Sequence, residues 1–382
     1  MAAAAAAAVA SIAEEKQRKL EKPVVTVAQA LSIASELFGL EAGAGAGSCK
    51  ALDSYDDLNF CVRGTLRGGA GGGEQLYTLK IHNGVESQQP ALIELQNATM
   101  LHLEARGVAV PAPLPAVGGE LLVYRELLLR DGATARRHAC RLLRWLPGRM
   151  LCEVEQPPRL LRQLGAYVGQ MDRHLQAFES AAARSRVLLW DLKNVPQLRG
   201  FAELITDSDA AVAARRKATA LQVLAAFAAE VEPRWGECRA GVLHNDANDH
   251  NIVVSDDSAD ALAVSGVLDF GDIVHSYYVC ELAICMAYSM LEKAEPVTAA
   301  ASVYAGYCAE FPLTAAEEQC VYVLVACRLA QSVIMSSYSF SQDPTNEYLL
   351  VTQQPGWIAL ETWWSADPDE VMGKLEAAKT HR

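Results

Sequence analysis

The chain has 382 residues, of which 51% are hydrophobic and 21% are charged. This is the composition of an ordinary globular protein, and it excludes a disordered, collagen-like or coiled-coil chain. Acidic residues outnumber basic ones by 46 to 33, and the formal net charge of −13 disfavours binding to nucleic acid or to anionic membrane surfaces. The length predicts two domains or one bilobed unit.

The cysteines and the N-terminus indicate the compartment more than the chemistry. The ten cysteines include no C-x-x-C pair, which predicts reduced thiols, an intracellular and cytoplasmic protein, and no zinc site. We find no run of 18 or more strongly apolar residues that would cross a membrane. The alanine-rich start lacks the basic region of a targeting signal, so we interpret residues 1–22 as a disordered leader.

Residues 23–146 predict a small lobe that is rich in strands. The apolar period of residues 24–40 predicts a helix that ends near Gly39. Alternating stretches then predict three strands, a helix that begins near Pro90, and two further strands. The expected strands are 48–53, 58–64, 75–82, 120–127 and 138–146, and the expected helix between the third and fourth is 89–106.

From residue 147 to the end the pattern becomes mostly helical. A compact stretch of loops and strands, around 242–272, interrupts the helices. The sequence therefore predicts an α+β fold with two lobes, a small antiparallel-sheet N-lobe with one main helix and a larger, mostly helical C-lobe that carries catalysis. The expected helical stretches of the second lobe are 159–180, 211–231, 277–335 and 346–379.

The strongest chemical signal is the segment HNDANDHN (244–251), which precedes an apolar strand and an Asp-Phe-Gly sequence. Phosphoryl transfer needs a carboxylate to orient a hydroxyl, oxygen ligands for Mg²⁺ and a cation on the phosphates. Asp246 can serve as the catalytic base, and Asn251 and Asp269 offer an oxygen-only ligand set for Mg²⁺. One aspartate in a turn is more often a cap than a catalyst, but the compound pattern favours catalysis. We expect His244 to pack and hydrogen-bond the loop.

Lys80 is the expected cation on the phosphates of the nucleotide. It lies in the alternating strand YTLKI (77–81), where an inward lysine would be costly to bury. A lone lysine on a strand is usually a solvated edge charge, but the downstream motif favours a functional role. Glu94, on the next helix, is placed to form an ion pair that holds Lys80 extended toward the phosphates.

The loop between the first two strands is expected to cover the nucleotide through backbone N–H groups and small polar side chains. It contains no glycine, unlike the glycine-rich loop of protein kinases. The glycine run 68–73 joins the next two strands, and we interpret it as a flexible hairpin tip. The link between the lobes binds a purine or is simply a buried strand end. The candidate nucleotide-binding residues are Ser54, Tyr55, Asp57 and Asn59 in the loop, and Arg144 and Leu146 in the link.

These motifs resemble those of the aminoglycoside phosphotransferase and choline kinase-like family, over nearly the whole chain from about residue 24. The resemblance implies a protein-kinase-like fold, Mg²⁺ and a nucleoside triphosphate donor. Longer stretches are similar to one group of amino-acid kinases in that family, which implies phosphorylation of 5-hydroxy-L-lysine by GTP, or ATP, in lysine catabolism. Asn245 departs from the glycine that is usual in the family. The stretches are SYDDLNF (54–60), RWLPGR (144–149), WDLKNV (190–195), NDHN (248–251), VSGVLDFGD (264–272), YYV (277–279) and 351–357.

The acceptor implied by this resemblance carries two ammonium groups and a carboxylate, so its site needs side chains of both signs. Asp272 is the best-placed candidate, because it lies three residues after Asp269. The other candidates are individually more often structural: Asp249 and Glu281 for the amines, Arg149 and Lys193 for the carboxylate, and Trp190 as an apolar wall.

Three alternatives remain at this point. The first is the same reaction on choline, homoserine or an aminoglycoside; Tyr277 and Tyr278 could begin the aromatic cage that choline needs. The second, a protein kinase, is disfavoured because no A-P-E segment follows Asp269. The third is a catalytically inactive binding module. It is disfavoured because it would have lost one of four residues that are all present: Lys80, Asp246, Asn251 and Asp269. Oligomeric state leaves no sequence signal.

Overall fold

The structure is a computed structural model that describes residues 16–43, 47–54, 56–68, 73–258, 261–342 and 353–380. The chain divides into two compact units, with the boundary between Pro147 and Gly148. Tyr55, most of the glycine run and most of the alanine-rich start lie outside the described residues. Each unit is described by itself.

An antiparallel sheet of seven strands forms the centre of the N-terminal unit. Its order is β1-β3-β4-β7-β5, with β2 also paired to β3 and β6 also paired to β7. Tyr77, Leu79 and Ile81 alternate toward the core along β4, so Lys80 points to the opposite face of the sheet. The strands are β1 (Leu40–Ala42), β2 (Cys49–Leu52), β3 (Leu58–Leu66), β4 (Gln75–Ile81), β5 (Pro113–Leu114), β6 (Val123–Leu128) and β7 (Ala135–Arg144).

The described helices of this unit are α1 (residues 16–20), α2 (Val27–Phe38), α3 (Gly84–Ser87) and α4 (Pro90–Glu104). A capping box between Thr26 and Gln29 starts α2, and Gly39, in the left-handed region with φ 64°, ends it. The buried face of α2 packs on the apolar face of the sheet to form the core of the unit. Both expected helices are therefore present, each slightly shorter than its pattern.

Residues 16–22 correct the expectation of a disordered leader over 1–22. Arg18 forms an ion pair with Glu86 at 3.3 Å, and the Lys22 ammonium donates to the Ser54 carbonyl at 2.7 Å. Pro23, the next residue, forms an isolated antiparallel β-bridge with Leu129. These contacts attach the segment to the rest of the N-terminal unit.

The C-terminal unit is mostly helical, and the α+β architecture expected from the sequence is confirmed. Among the described residues, five further helical segments join its elements, four of 3₁₀ type and one of π type, at Leu151–Glu153, Leu192–Leu204, Phe227–Val231, Glu232–Glu237 and Phe270–Asp272. The α-helices are α5 (Pro158–Leu175), α6 (Ala181–Ser185), α7 (Ala210–Ala226), α8 (Tyr278–Ser289), α9 (Pro296–Glu310), α10 (Ala315–Gln342), α11 (Gln353–Ser365) and α12 (Pro368–Thr380).

Helices α5 and α9 cross in direct backbone contact. A Cβ atom added to Gly165 would lie 1.9 Å from the Val303 carbonyl oxygen, and one added to Gly306 would lie 1.8 Å from the Arg162 carbonyl oxygen. Real Cβ atoms never come this close, so both positions require glycine. The two glycines therefore set the distance between the helices.

Two small antiparallel sheets hold the loops that contain the sequence motif. The first has the order β11-β10-β8 and the second pairs β12 with β9. Loop 244–251 joins β9 to β10, and loop 268–273 joins β11 to β12. Because both loops run from one sheet to the other, their residues lie side by side. The strands are β8 (Arg149–Met150), β9 (Ala240–Leu243), β10 (Ile252–Ser258), β11 (Ala261–Val267) and β12 (Val274–Tyr277).

The sequence was expected to contain no apolar stretch long enough to cross a membrane, but helix α10 is such a stretch. Residues Ala315–Ser341 pass that test by length and composition, with a mean hydropathy of 1.5 in the best 18-residue window. Of that window, 89% is buried inside the protein. This burial is typical of a core helix.

Candidate active site

The loop 244–251 is fixed to its neighbour by hydrogen bonds at both ends. The Leu268 N–H donates to the Asn251 carbonyl at 2.7 Å, and His244 Nε2 lies 2.8 Å from the Leu268 carbonyl. A carbonyl only accepts, so Nε2 carries the proton, and Nδ1 accepts from the Asp246 N–H at 3.3 Å. Phe270 packs edge-on against the imidazole. His244 thus has the loop-supporting position expected of it.

Asn245 turns the chain just before the proposed base. Its φ of 70° lies in the left-handed region, which asparagine tolerates better than most residues with a Cβ. Its N–H donates to Oε2 of Glu281 at 2.7 Å. Glu281 is fully buried, and burial raises the pKa of its carboxyl. The expectation that Glu281 binds an acceptor amine is therefore corrected: it holds this turn.

The Asp246 carboxylate is oriented by three donors. Its Oδ2 accepts from the amide nitrogens of Asn248 at 2.9 Å and Asn251 at 2.8 Å. Its Oδ1 accepts from Arg328 at 3.1 Å. The side chain keeps 24% of its surface exposed, so an acceptor can still reach it. Burial, together with the charge of Asp272, raises the pKa of Asp246 to about 7, against the opposing effect of Arg328.

Asn251 and Asp269 present oxygen atoms suited to a magnesium ion. The Asn251 amide nitrogen donates both to the carboxylate and to the backbone carbonyl of Asp246, at 2.8 and 3.0 Å, so its amide oxygen points away from Asp246. Asp269 has a φ of 54° and an exposed carboxylate whose Oδ1 accepts from the Gly271 N–H at 3.1 Å. Amide and carboxylate oxygens are the ligands that Mg²⁺ prefers, so this donor set fits the ion.

Arg328 is the residue of this site that the sequence analysis missed. It lies in α10, is 1% exposed, and donates to Asp246, 82 positions earlier in the chain. The available signal was a single arginine within the apolar stretch VYVLVACRLAQSVIM (321–335). Buried arginines need acceptors, so that isolated charge could have marked a functional or structural partner.

The candidates for acceptor binding are in different environments. The Arg328 Cζ lies over the Trp190 ring, 5.0 Å from the ring centroid. The negative charge of Asp272 raises the pKa of Asp246. Lys193 is bound to the His275 carbonyl at 2.7 Å and to Asp191 at 2.9 Å, which makes it part of the scaffold. Trp190 and Asp272 are therefore the candidates that the structure associates with Asp246. Asp249 is partly exposed in the same loop, and Arg149 is exposed on β8.

In the N-terminal unit, Lys80 has a different carboxylate partner from the one expected. Its Nζ lies 2.9 Å from Oδ2 of Asp57, while Oδ1 of Asp57 accepts two bonds from Asn83, at 2.9 and 3.0 Å. Burial opposes ionisation of Asp57, but the Lys80 ammonium and His82 hold its pKa well below the usual range. Asp57 lies in the expected loop between β2 and β3, and its buried side chain is directed at Lys80.

The expected ion pair between Lys80 and Glu94 is corrected by the contacts of α4. The Glu94 side chain is exposed. Helix α4 instead meets the sheet through Gln96 and Asn97, whose oxygens accept from the buried Arg141 at 2.6 and 2.8 Å. The polar groups on the inner face of the helix are therefore neutral acceptors, and the carboxylate of Asp57, which pairs with Lys80, lies just before β3.

The side chains of Asp57, His82 and Glu86 lie within 4.8 Å of one another, a spacing that a metal ion could use. Lys80 already contacts Asp57, and Arg18 contacts Glu86. Because His82 Nε2 accepts from the Arg141 Nε at 3.0 Å, Nδ1 carries the proton and cannot bind a metal. We therefore interpret this cluster as the support for Lys80 rather than as a metal site.

The other expected nucleotide-binding residues have mixed surroundings. The Ser54 carbonyl accepts from Lys22, and Asn59 pairs with Lys80 across β3 and β4, with a buried Oδ1 that has no partner within the described chain. Arg144 is more than half exposed and pairs with Glu104 at 3.1 Å. Leu146 is partly buried just after β7.

Comparison with known proteins gives a consistent result. Residues 65–318 match the profile of the "Phosphotransferase enzyme family". A hydroxylysine kinase of Mus musculus is 34% identical over 349 residues, covering 89% of each chain. A hydroxylysine kinase of Danio rerio is 32% identical over 359 residues, covering 92% of this chain and 95% of that one.

A solved structure shares the fold. The microcompartment-associated aminopropanol kinase aligns with a TM-score of 0.60 at 17% identity, over 92% of this chain and 94% of that chain. At this identity the likeness concerns the fold alone, which is that of a protein-kinase-like phosphotransferase.

Proposed function

The chain belongs to the phosphotransferase enzyme family, and from this premise we propose that it transfers the γ-phosphoryl group of GTP to the side-chain hydroxyl of 5-hydroxy-L-lysine. It is a small-molecule kinase that acts on an alcohol. Hydroxylysine kinases that align with nine-tenths of this chain support the acceptor. We also propose a place in lysine catabolism and in the cytoplasm, where the ten cysteines would stay reduced.

The observation that carries the mechanism is the geometry of the Asp246 carboxylate. Three donors fix its orientation, and part of its surface stays open. Asp246 accepts the proton of the acceptor hydroxyl while that oxygen bonds to the γ-phosphorus. The bond from the γ-phosphorus to the leaving oxygen breaks, and the products are the phosphorylated alcohol and a nucleoside diphosphate.

Asn251 and Asp269 would hold Mg²⁺, which neutralises charge on the phosphates when it is bound. Asn251 has two roles at once, because its amide nitrogen orients Asp246 while its oxygen faces away. The loop bond between Asn251 and Leu268 keeps Asp269 next to it. Removing the Asn251 side chain would therefore disturb both the ligand set and the base, whereas removing that of Asp269 would disturb the ligand set.

Lys80 contributes the positive charge that binds the phosphates of the nucleotide. Asp57 holds its ammonium at 2.9 Å, and Asn83 in turn fixes Asp57 through two bonds. Since both anchors are buried, Lys80 is held extended before any nucleotide arrives. Ser54, Tyr55, Asn59, Arg144 and Leu146 remain proposed contacts of the nucleotide.

Asp272 and Trp190 are the proposed acceptor contacts. A carboxylate beside Asp246 attracts the ammonium groups of hydroxylysine, and the charge of Asp272 already acts on Asp246. The Trp190 ring offers an apolar surface for the aliphatic part of the acceptor. Asp249 and Arg149 are proposed as outer contacts.

The first prediction tests the acceptor and the base together. Release of nucleoside diphosphate is measured with Mg-GTP or Mg-ATP and with 5-hydroxylysine, lysine, choline, homoserine or an aminoglycoside. We expect turnover with GTP and hydroxylysine and none with lysine, which lacks only the hydroxyl. Asp246→Asn should lower kcat by about 10²–10⁴-fold, whereas Asp256→Asn, the same change at an exposed position of β10, should not.

The outcomes test the acceptor, the donor and the base separately. Turnover with another alcohol, lost in Asp246→Asn, would keep the mechanism and reject hydroxylysine as the acceptor. Turnover that prefers ATP would reject GTP as the donor. Wild-type kcat in Asp246→Asn would reject the assigned base.

A further inference from the structure

Arg328 is buried in the middle of α10 and reaches the catalytic loop. Its Nη2 lies 3.1 Å from Oδ1 of Asp246 and 3.1 Å from the Tyr288 hydroxyl. Its Nη1 donates to the Trp190 carbonyl at 3.1 Å and to Oε1 of Gln331 at 3.0 Å. A buried charge of this kind is tolerated only when acceptors surround it, and here the acceptors fix the guanidinium on both sides.

Gln331, which accepts from Arg328, also contacts the segment that contains Trp190. Gln331, one helical turn further along α10, donates its amide N–H to the Leu189 carbonyl at 2.8 Å. The aromatic rings of Trp190 and Tyr288 lie 5.0 and 5.1 Å from the guanidinium carbon. These contacts hold the guanidinium with Nη1 on the Trp190 carbonyl and Nη2 directed at Asp246.

The hydrogen bonds of Asp246 distinguish its two oxygens. A carboxylate oxygen has two lone pairs in the plane of the group. Oδ2 accepts from both Asn248 and Asn251, so both of its lone pairs are used. Oδ1 accepts from Arg328 alone, so one lone pair stays open on the partly exposed carboxylate.

We propose that Arg328 is a positioning residue that fixes the rotation of the Asp246 carboxylate, so that the open lone pair of Oδ1 receives the proton of the acceptor hydroxyl. This inference rests on the proposed role of Asp246 as the base. Without Arg328 the carboxylate would keep its two bonds at Oδ2 but could swing about them, because nothing else described holds Oδ1. Arg328 acts through Asp246 and does not touch the reacting atoms.

Lysine cannot replace this arginine. The guanidinium is a planar fork that binds Asp246 and the Trp190 carbonyl from two separate nitrogens, whereas an ammonium is a single point. Arg328→Lys keeps the positive charge and most of the volume, but it cannot keep both the bond to Asp246 and the bond to the Trp190 carbonyl. The variant therefore separates charge from orientation.

The test is a double-mutant cycle between Arg328→Lys and Asp246→Asn. We expect Arg328→Lys to lower kcat about 10- to 100-fold, since misplacement of a reacting group by about 1 Å has this effect. The KM for the nucleotide should stay unchanged. In the Asp246→Asn background, followed over long incubations, Arg328→Lys should cause no further fall in kcat.

The control is Arg216→Lys, the same substitution at another buried arginine, which pairs with Asp207 at 2.6 Å. It should leave kcat unchanged. An equal fall of kcat from Arg328→Lys in both backgrounds would show a merely structural role and overturn the proposal, as would wild-type kcat in the single variant. A collapse in Asp246→Asn alone, with Arg328→Lys fully active, would reject the positioning role and leave the assigned base intact.

If Arg328→Lys does not fold, Tyr288→Phe serves in its place. It removes the second acceptor of Nη2 and keeps the partly buried ring. We expect a smaller fall in kcat that again disappears in the Asp246→Asn background. A fall of the same size in both backgrounds, or no fall at all, would contradict the proposal.

Discussion

Individual charged residues in this protein are held by several partners at once. Asp57 accepts from Lys80 and twice from Asn83, and Asp246 accepts from two asparagines and Arg328. Each added donor offsets part of the free energy that a carboxylate loses when it leaves water. A change at one partner will therefore alter the carboxylate as well as the pair.

Asp56, next to Asp57, gives a prediction about pH. Burial, followed by the charges of Asp57 and Glu86, raises the pKa of Asp56 to about 7, compared with about 3.9 in an unfolded chain. Its contribution to stability is fully present below about 3.9 and is lost as the pH rises through about 7. Asp56→Asn should therefore gain stability relative to the wild type between pH 5 and pH 8.

The measurement is the free energy of unfolding in urea at several pH values across that range. Asp53→Asn, at an exposed position three residues earlier, is the matched control and should differ from the wild type by a constant amount. A difference for Asp56→Asn that does not change with pH would contradict the raised pKa.

Among the elements, α5 and α9 can cross closely only because Gly165 and Gly306 have no Cβ atom. Gly306→Ala would place a Cβ 1.8 Å from the Arg162 carbonyl oxygen, so the helices would have to separate. We expect a loss of about 1–3 kcal/mol in the free energy of unfolding. Urea denaturation measures this loss.

Gly373→Ala is the control for this prediction. Gly373 lies within α12, and nothing occupies the space that its Cβ would enter. There the same substitution should stabilise the protein by about 0.5–1 kcal/mol, because alanine favours the helix. If Gly306→Ala were as stable as Gly373→Ala, the close crossing of α5 and α9 would be wrong.

The longer elements were predictable from the sequence, and the shorter ones were not. The expected helix over 24–40 is α2, because its apolar period is supported by a capping box and by Gly39. The two-residue strands β5 and β8 and the single turn α3 are too short to show a period. They exist because neighbouring strands or caps stabilise them.

The site follows the same rule. Asp246, Asn251 and Asp269 are close together in the chain, so their spacing alone indicated their association. The partners of Lys80 and of Asp246 depend on the tertiary fold. Asp57 precedes β3, whose register places Asn59 opposite Lys80, and its carboxylate reaches Lys80 from the end of that strand. Arg328 reaches its loop from a distant helix. No local pattern contains that information.

For the whole molecule, a net charge of −13 means that an anionic nucleotide binds against the overall field. In the proposed function, Lys80 and a divalent metal would provide the attraction. Mg-GTP should raise the melting temperature of the full chain, because a ligand that binds only the folded state stabilises it.

Removal of the metal tests this dependence. With a chelator, or in Asp269→Asn, we expect the rise in melting temperature caused by GTP to shrink, since the phosphates lose their main counter-charge. Asp256→Asn should keep the full rise. The same rise with and without Mg²⁺ would reject Asp269 and Asn251 as the proposed ligands. Differential scanning fluorimetry gives all of these values.

Helix α10 has a consequence for the protein during its synthesis. The segment is long and apolar enough to cross a membrane until it is packed, and a newly made chain exposes it before the core exists. Arg328 lies near its middle, where one arginine raises the free energy of insertion into a bilayer by about 2.5–3.5 kcal/mol. The arginine therefore biases the newly made helix toward the core of its own unit and away from lipid.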